Sequence, residues 1–515
     1  MFQLTLRLNC KGKEFIVDIS SSLDPTSNLL PSVKKRTHFR SWLLVSLCGL
    51  FGVSLLFLSL VYPPGVKIVI LASLGIAMLV VLFKYTHGVI LCLLFLGPFT
   101  DILINLFFSN VPLIGIWRDL IIIGIVVKGV WMSLRPGFQW RFTWLDYSVC
   151  VFILVYAFSI VPSPNLAVWL FGFRWYSVYA FLYLALKAYR FTTRELTQIL
   201  IAAVSGLLLS AAIGFVLLQM LGDQGLSLLW QHLFKGGGFW REGHFRWQAT
   251  FLNPIVASIS FALVLIASVA HLLERKSRAV NLPVALVGGY ALYLTFSRTG
   301  WLVAAVGVLA IVVLVAKQLH AYKTLLAALL VAVLCLVVVV SLSPEVRDIV
   351  TQKNTMDNYR LQTFESVISD AFVYPFGVGV GTAGAMAIAA MRFGGANISA
   401  APVVGDSVLL AVLRDTGWIG LFSLIAISVG FIVTAYKGFC SAASKEERIF
   451  ALAYFGFSIG LFTSLMNASD VWPVTFYFWL FGALVVAIVE GRVDDLKNTS
   501  SRSAEALMNE DHGVN

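Results

Sequence analysis

The sequence predicts an all-α fold, a polytopic transmembrane helix bundle of about 12–14 spans with a large outer loop that contains short helices. Three observations predict it. The chain is 59% hydrophobic and 12% charged, about half the charge of a soluble domain. Its apolar residues come in long blocks, each near the roughly 20 residues that a helix needs to cross the hydrocarbon core. Lys and Arg fall in alternate connections between those blocks, as cytoplasmic loops do.

Taken in order, residues 1–40 are a cytoplasmic N-terminal segment. Within it, "FQLTLRLNCKGKEFIVDI" alternates apolar and polar residues around a Lys-Gly turn, the pattern of a small hairpin. The first apolar block begins near Trp42, behind "KKRTHFR". That is too far in for an ordinary signal peptide, and many blocks follow. Residues 41–490 form the membrane domain, with spans expected at 41–61, 66–83, 88–108, 113–133, 144–161, 168–187, 197–220, 249–271, 281–297, 299–316, 321–342, 407–435, 449–466 and 472–490. Gly97-Pro98 marks a broken or re-entrant helix. Between Leu282 and Ala316 the only charged residue is Arg298. That stretch suits two short spans joined by a tight turn at Ser297-Arg298-Thr299-Gly300. Residues 491–515 are polar and read as a disordered cytoplasmic tail.

"KYTH", "LRPGFQWR", "KAYRFTTRE", "HLLERKSR", "AKQLHAYK" and "YKGFCSAASKEER" occupy alternate connections, while "VYPPG", "VPSPN" and "NASDVW" lack Lys and Arg. Both termini are therefore expected in the cytoplasm. The net charge of +11 reads as this loop bias and not as affinity for nucleic acid. The six cysteines form no CxxC or His/Cys cluster, so neither a disulfide framework nor a zinc site is expected. Two longer outer connections, residues 221–248 and 343–406, break the rule by carrying positive charge outside. Orientation alone would remove such charge, so it points to function.

Three outer arginines, Arg246, Arg298 and Arg360, stand where outer loops meet spans or short helices. An arginine fork stays charged and matches phosphate oxygens, so several together suit a lipid-linked phosphate or diphosphate. Taken singly, each also suits a snorkelling or helix-capping role. Arg174, among aromatics in "FGFRWYSVY", is an interfacial anchor or a further phosphate contact. Glu242 and His244, in "FWREGHFRW", are accessory acid–base candidates. In "DNYRLQTFESVISDAFVYPFGVGVGTAG", Arg360, Gln362, Phe364, Val367 and Ile368 fit a short surface helix. The glycines after it permit either a phosphate cradle or simply a tight backbone path. Asp406, in "VVGDSVLLAVLRDTGWIGLFSL", is a helix N-cap, a general base, or both. Arg414 and Asp415 beyond it suit a buried ion pair, with Arg414 a further accessory candidate. Trp230, Trp240, Trp247, Trp301, Trp418 and Trp472 cluster near the outer face as an aromatic belt would.

In order, "HFRWQATFLNPIVAS", "LTFSRTGWLVA", "YRLQTFESVISDAFVYPFGVGVG" and "DSVLLAVLRDTGWIGL" resemble the O-antigen ligase and polymerase superfamily, over roughly residues 245–425. The resemblance implies a bacterial inner-membrane glycosyltransferase with its active site facing the periplasm. Its donor and acceptor would be glycans on undecaprenyl diphosphate, with no metal and no other cofactor. It implies pathway partners, a chain-length regulator and a flippase. It assigns the diphosphate to Arg246 and Arg298, with Arg360 where the family often has an outer-loop arginine. Ligases of the family start the segment after the glycines with a histidine, in "HNxYL". Here Asp406 stands in that place, which favours the polymerase branch over an O-antigen ligase acting on lipid A core. Asp406 would then be the catalytic base. Two other classes compete. A flippase or transporter should carry charges within its spans, whereas here they crowd the outer loops. A non-catalytic envelope scaffold should tolerate replacement of Arg298.

Overall fold

The structure, a computed structural model, describes residues 6–10, 13–17, 85–100, 102, 116–135, 140–163, 166–189, 191–234, 240–241, 244–251, 253–274, 278–318, 355–383, 407–464 and 473–490. The chain divides into two units, Met1–Tyr62 and Pro63–Asn515. In the first, strand β1 (Leu6–Cys10) pairs antiparallel with β2 (Lys13–Val17), Cys10 opposite Lys13.

The second unit is helical. In chain order its helices are α1 (Tyr85–Phe99), α2 (Ile116–Ser133), α3 (Trp144–Phe158), α4 (Leu166–Leu186), α5 (Thr193–Phe234), α6 (Pro254–Leu273), α7 (Arg278–Leu294), α8 (Arg298–Gln318), α9 (Thr355–Val373), α10 (Val408–Ser441) and α11 (Lys445–Ser464), then α12 (Val474–Glu490). A two-residue hairpin, β3 (Trp240–Arg241) with β4 (His244–Phe245), interrupts them. Among the described residues, Thr193–His232, Pro254–Leu273, Arg298–Gln318 and Val408–Ser441 are each long and apolar enough to cross a membrane. The protein is an all-α polytopic membrane protein. The spans expected at 41–61, 66–83 and 321–342 lie outside the described residues. At Gly97–Phe99, α1 gives way to a 3₁₀ turn with Pro98 in its first turn, where the missing N–H of proline interrupts the α-helical ladder.

Two helices outrun one crossing. At 1.5 Å per residue, α5 with 42 residues is roughly 60 Å long and α10 with 34 roughly 50 Å, against about 30 Å of hydrocarbon. A glycine breaks each of them, Gly222 at φ 64° and Gly417 at φ 69°. The sequence pattern ends one span at residue 220 and treats 221–248 as loop. Instead the helix resumes after Gly222 and runs to Phe234.

Small residues set the helix directions. A side chain at Gly300 would strike Ser258, so the first turns of α8 and α6 meet and the two run parallel. Gly307 abuts the Gly456 backbone and Gly460 the Val303 carbonyl, so α11 runs antiparallel to α8. Gly438 of α10 lies against Ala451 of α11, which makes α10 parallel to α8. Close backbone approach at small residues is how helices pack where no hydrophobic force distinguishes protein from lipid. The starts of α6, α8 and α10 therefore share one end of the bundle. The outward surface stays apolar along the helices, with Val127, Trp131, Leu154, Met220, Leu286 and Phe422 all exposed, as lipid contact requires.

The other end is a polar layer. Thr143 and Asp146 form a reciprocal capping box that starts α3. Lys187 bridges Asp146 at 2.6 Å and Glu490 at 2.8 Å, and Tyr183 donates to Asp146 at 2.7 Å. Arg448 pairs with Glu274 at 2.7 Å and donates to Gln318. Buried charge of this kind is tolerated because each ion has its counterion and further hydrogen bonds.

Candidate active site

The site end is built around residues 246–251, an irregular buried strand of chain between the small hairpin and α6. Trp247 anchors it. Its backbone N–H donates to Leu294 O at 3.1 Å and its indole to Gly214 O at 3.2 Å. Its ring stacks on Phe215 and Phe261, with centroids 4.7 and 5.7 Å away. Thr250 donates to Pro98 O at 2.7 Å and meets Ser210 at 2.6 Å, which ties the segment to the end of α1. Asn253 then caps α6 by accepting from Ile255 N at 2.7 Å, with Pro254 at the first helical position.

The bond from Trp247 to Leu294 joins the Arg246 segment to the turn between α7 and α8. That turn comes slightly earlier than the sequence suggests. It occupies residues 295–297, and Arg298 is the first residue of α8. Arg246 and Arg298 are both half-buried. A cation at a helix N-terminus opposes the helix dipole, so α8 gains nothing from Arg298 by itself. An anion there would be favoured by the helix N–H groups and by the guanidinium together.

Two costs accumulate beside these arginines. Among the described residues, Ala249 (φ 52°) and Phe296 (φ 44°) are the non-glycine positions with left-handed backbone, a strain of about 1–3 kcal/mol each. Gln248 is 0% exposed, and neither its Oε1 nor its Nε2 has a hydrogen-bond partner among the described residues. The Ser297 hydroxyl is in the same condition at 1% exposure. A buried polar group left unmet costs about 1–3 kcal/mol. Uncompensated costs of this kind concentrate where a protein is built for a ligand and not for its own stability.

The connection that begins at residue 221 is helical over its first part. After Gly222, α5 buries Trp230, and Ser227 accepts from the Trp240 indole at 2.8 Å. The hairpin pairs Arg241 with His244, which places His244 two residues before Arg246. Glu242 lies outside the described residues, and of His244 only the backbone is described. Trp230 and Trp247 are fully buried, so those two belong to the core and not to an aromatic belt. Their indoles serve packing, and a tryptophan count cannot tell the two uses apart.

The connection expected at 343–406 contains α9, which covers residues 360–368 as the apolar spacing suggests. Val367 and Ala371 pack on Leu410 and Leu413 of α10, flanked by Phe364, Ile368 and Trp418. Arg360 lies on this helix, its side chain outside the described residues. After α9 the chain folds onto the break in α10. Trp418 N donates to Pro375 O at 3.1 Å, Val378 N to Arg414 O at 2.9 Å and Gly379 N to Asp415 O at 3.2 Å. Asp415, fully buried, accepts from Gly381 N at 3.2 Å and Thr382 Oγ1 at 3.0 Å. A side chain at Gly417 would sit 2.0 Å from Pro375 O, so glycine is required there for space as well as for φ. Gly377, Gly379 and Gly381 also have positive φ and touch Asp415, Ser163 and Val168 respectively. The "GVGVG" run is thus accounted for by backbone packing, without a phosphate.

Asp415 is therefore the anchor of the glycine loop. Asp415→Asn replaces one acceptor oxygen by a donor facing N–H or O–H groups. It is expected to cost about 1–3 kcal/mol, read as a lower melting temperature in detergent and faster proteolysis within residues 374–383. An unchanged melting temperature would show that the loop is held elsewhere.

The cap of α10 is Ser407, which accepts from Leu410 N at 3.3 Å. The capping reading of Asp406 thus passes to its neighbour, and Asp406 itself lies outside the described residues. Arg414 is half-buried on the short piece of α10 that precedes the break at Gly417. On α4, Arg174 meets Asp119 of α2 at 3.3 Å and lies 4.8 Å from the Phe171 ring centre. Gly172, two residues before Arg174, packs against Val380 and Gly381. Arg174 and Arg414 thus flank the glycine loop, while Arg246 and Arg298 share the Trp247–Leu294 junction. Among the described residues no three His, Cys, Asp or Glu side chains gather as a metal site would need.

Comparison with known families adds one finding. Residues 283–425 match the family model Wzy_C, described as O-antigen ligase. The match runs from the middle of α7 through α8 and α9 to the span of α10, and so includes Arg298, Arg360, the glycine loop and Asp406. Curated proteins yield no match to the chain. The family match falls on the motifs that build this end of the bundle and supports the resemblance of residues 245–425 to the O-antigen ligase and polymerase superfamily.

Proposed function

We propose that this protein is a membrane glycosyltransferase that polymerises undecaprenyl-diphosphate-linked oligosaccharide repeat units into a cell-surface polysaccharide. The reaction would take place on the outer side of the bacterial inner membrane. The observation that carries this reading is the junction of the Arg246 segment with the Arg298 turn, by the bond from Trp247 N to Leu294 O. Two arginines far apart in sequence stand on adjoining backbone at one end of the bundle, one of them in the first turn of a helix, where an anion is favoured. The opposite end holds Lys128, Lys187, Arg448 and their neighbours, which favours that end for the cytoplasm.

In the proposed reaction a hydroxyl of the acceptor glycan attacks the anomeric carbon of the donor. Undecaprenyl diphosphate departs, and its developing charge is met by Arg246 and Arg298, with Arg360 as a further outer contact. Asp406 takes the proton of the attacking hydroxyl. Arg174, already facing Asp119, holds the floor beside the glycine loop.

The description of the matching family favours a second reading, transfer of finished glycan to lipid A core. Asp406, where ligases of the family have histidine, favours polymerisation. The glycans that accumulate in a strain lacking the protein decide between them. Single lipid-linked repeats are the expected result. Long lipid-linked chains not passed to lipid A core would establish the ligase, and an unchanged glycan profile would overturn both.

A further inference from the structure

Beside the two arginines the structure holds two neutral hydrogen-bonding groups that no described residue satisfies. Gln248 is 0% exposed and Ser297 1% exposed. Neither the Gln248 amide nor the Ser297 hydroxyl has a hydrogen-bond partner among the described residues. Gln248 is two residues after Arg246, and Ser297 immediately precedes Arg298. The hydrogen bond from Trp247 N to Leu294 O, at 3.1 Å, holds the two segments together. The left-handed residues Ala249 and Phe296 adjoin Gln248 and Ser297 and fix the backbone that carries them.

The chemistry of these groups differs from that of the arginines. A diphosphate only accepts hydrogen bonds, so arginine forks satisfy it and an amide oxygen does not. A primary amide offers both donors and an acceptor, and a serine hydroxyl can do either. The ligand that matches both is one whose own groups donate and accept, namely a polyhydroxylated sugar. We propose that Gln248 and Ser297 read hydroxyl groups of the glycan next to the diphosphate, and so help to set which sugar this enzyme accepts. The inference rests on the lipid-diphosphate reading above and deepens it. Burial makes the contact selective. A dry site that must satisfy an amide rejects a ligand lacking the hydroxyl far more strongly than an exposed one does.

An amide left unmet by the described residues is a cost to stability, and this separates the proposal from a structural role. Gln248→Leu removes the unmet group at similar volume, so the purified variant in detergent is expected to melt at the same temperature as the parent or higher. Two ligands are compared by thermal shift: undecaprenyl diphosphate, which has no sugar, and the lipid-linked glycan extracted from a strain lacking the protein. The parent is expected to respond more strongly to the glycan-bearing lipid. Gln248→Leu should respond to both lipids equally, at the level of the sugarless one, and should form polymer about 10-fold more slowly. Ser297→Ala, a smaller change, should weaken the glycan response in the same direction.

A Gln248→Leu variant that melts several degrees lower and keeps full polymer formation overturns the contact, because the amide is then structural. A parent that responds alike to both lipids overturns the sugar contact and leaves the diphosphate reading standing. A parent shifted by neither overturns the lipid-diphosphate reading, and the contact with it.

Discussion

Asp406→Asn is expected to lower polymer formation by about 10²–10⁴-fold, the usual worth of a general base, with no loss of protein from the membrane. The structure sharpens this expectation. The N-terminal cap of α10 is the Ser407 side chain on Leu410 N, so α10 does not depend on residue 406 for its start. A carboxylate just before a cap that is already filled needs another reason to be there. Asparagine keeps the shape and removes the basicity, so protein level, melting temperature and thermal response to undecaprenyl diphosphate should all stay near the parent's. Polysaccharide chain length, measured on gels at matched protein level, should collapse. Asp406→His is expected to retain part of the activity, since imidazole also accepts a proton in this pH range. Normal chain length from the Asn variant would remove Asp406 from the mechanism and turn attention to Glu242, His244 and Asp119.

Much of the architecture was legible because lipid imposes simple rules. A block such as 299–316 must be helical, since its backbone has no water to bond with, and α8 occupies 298–318. The surface helix of the second outer connection was legible from its apolar spacing, and Val367 does face Leu410 and Leu413. The helix breaks were harder to read. Gly222 and Gly417 are two of 40 glycines, and nothing local distinguishes them. What makes Gly417 a break is Pro375 O, which occupies the space of its missing side chain, a contact between segments far apart in sequence.

The proposed site is legible in its charges and not in its neutral groups. Arginines stand out in an apolar chain because their burial is costly, so Arg246, Arg298 and Arg174 announced themselves. Asp119 and Asp415 drew less notice than their roles warrant. Asp119 faces Arg174 across two helices, and Asp415 binds a loop more than thirty residues before it. One signal was available for Asp415, a carboxylate beside a glycine in "RDTGWIGL" with a run of glycines upstream. Gln248 gave no signal at all, because a glutamine is unremarkable until its burial and its unmet amide are known.

Replacement of Arg298 is the second large effect. Arg298→Ala is expected to lower polymer formation by about 10²–10³-fold, the range for removing one donor from a site of developing negative charge. Arg298→Lys should fall between parent and Ala, since lysine keeps the charge and loses the bidentate fork. The position decides how to read the result. Arg298 opens α8 and follows Ser297, so an alternative role is to hold the turn between α7 and α8. A turn role predicts that both variants lose stability together, with Lys the milder, and that added lipid does not separate them from the parent. A diphosphate role predicts the reverse. The diphosphate role is read in the response to lipid and not in the melting temperature in detergent alone. The stabilisation that undecaprenyl diphosphate gives the parent should shrink in Arg298→Ala, and Arg246→Ala should behave in the same way because its segment is bonded to the same turn. If both alanine variants respond to the lipid as the parent does, the two arginines do not hold the diphosphate, and their shared position at the end of the bundle serves the fold alone.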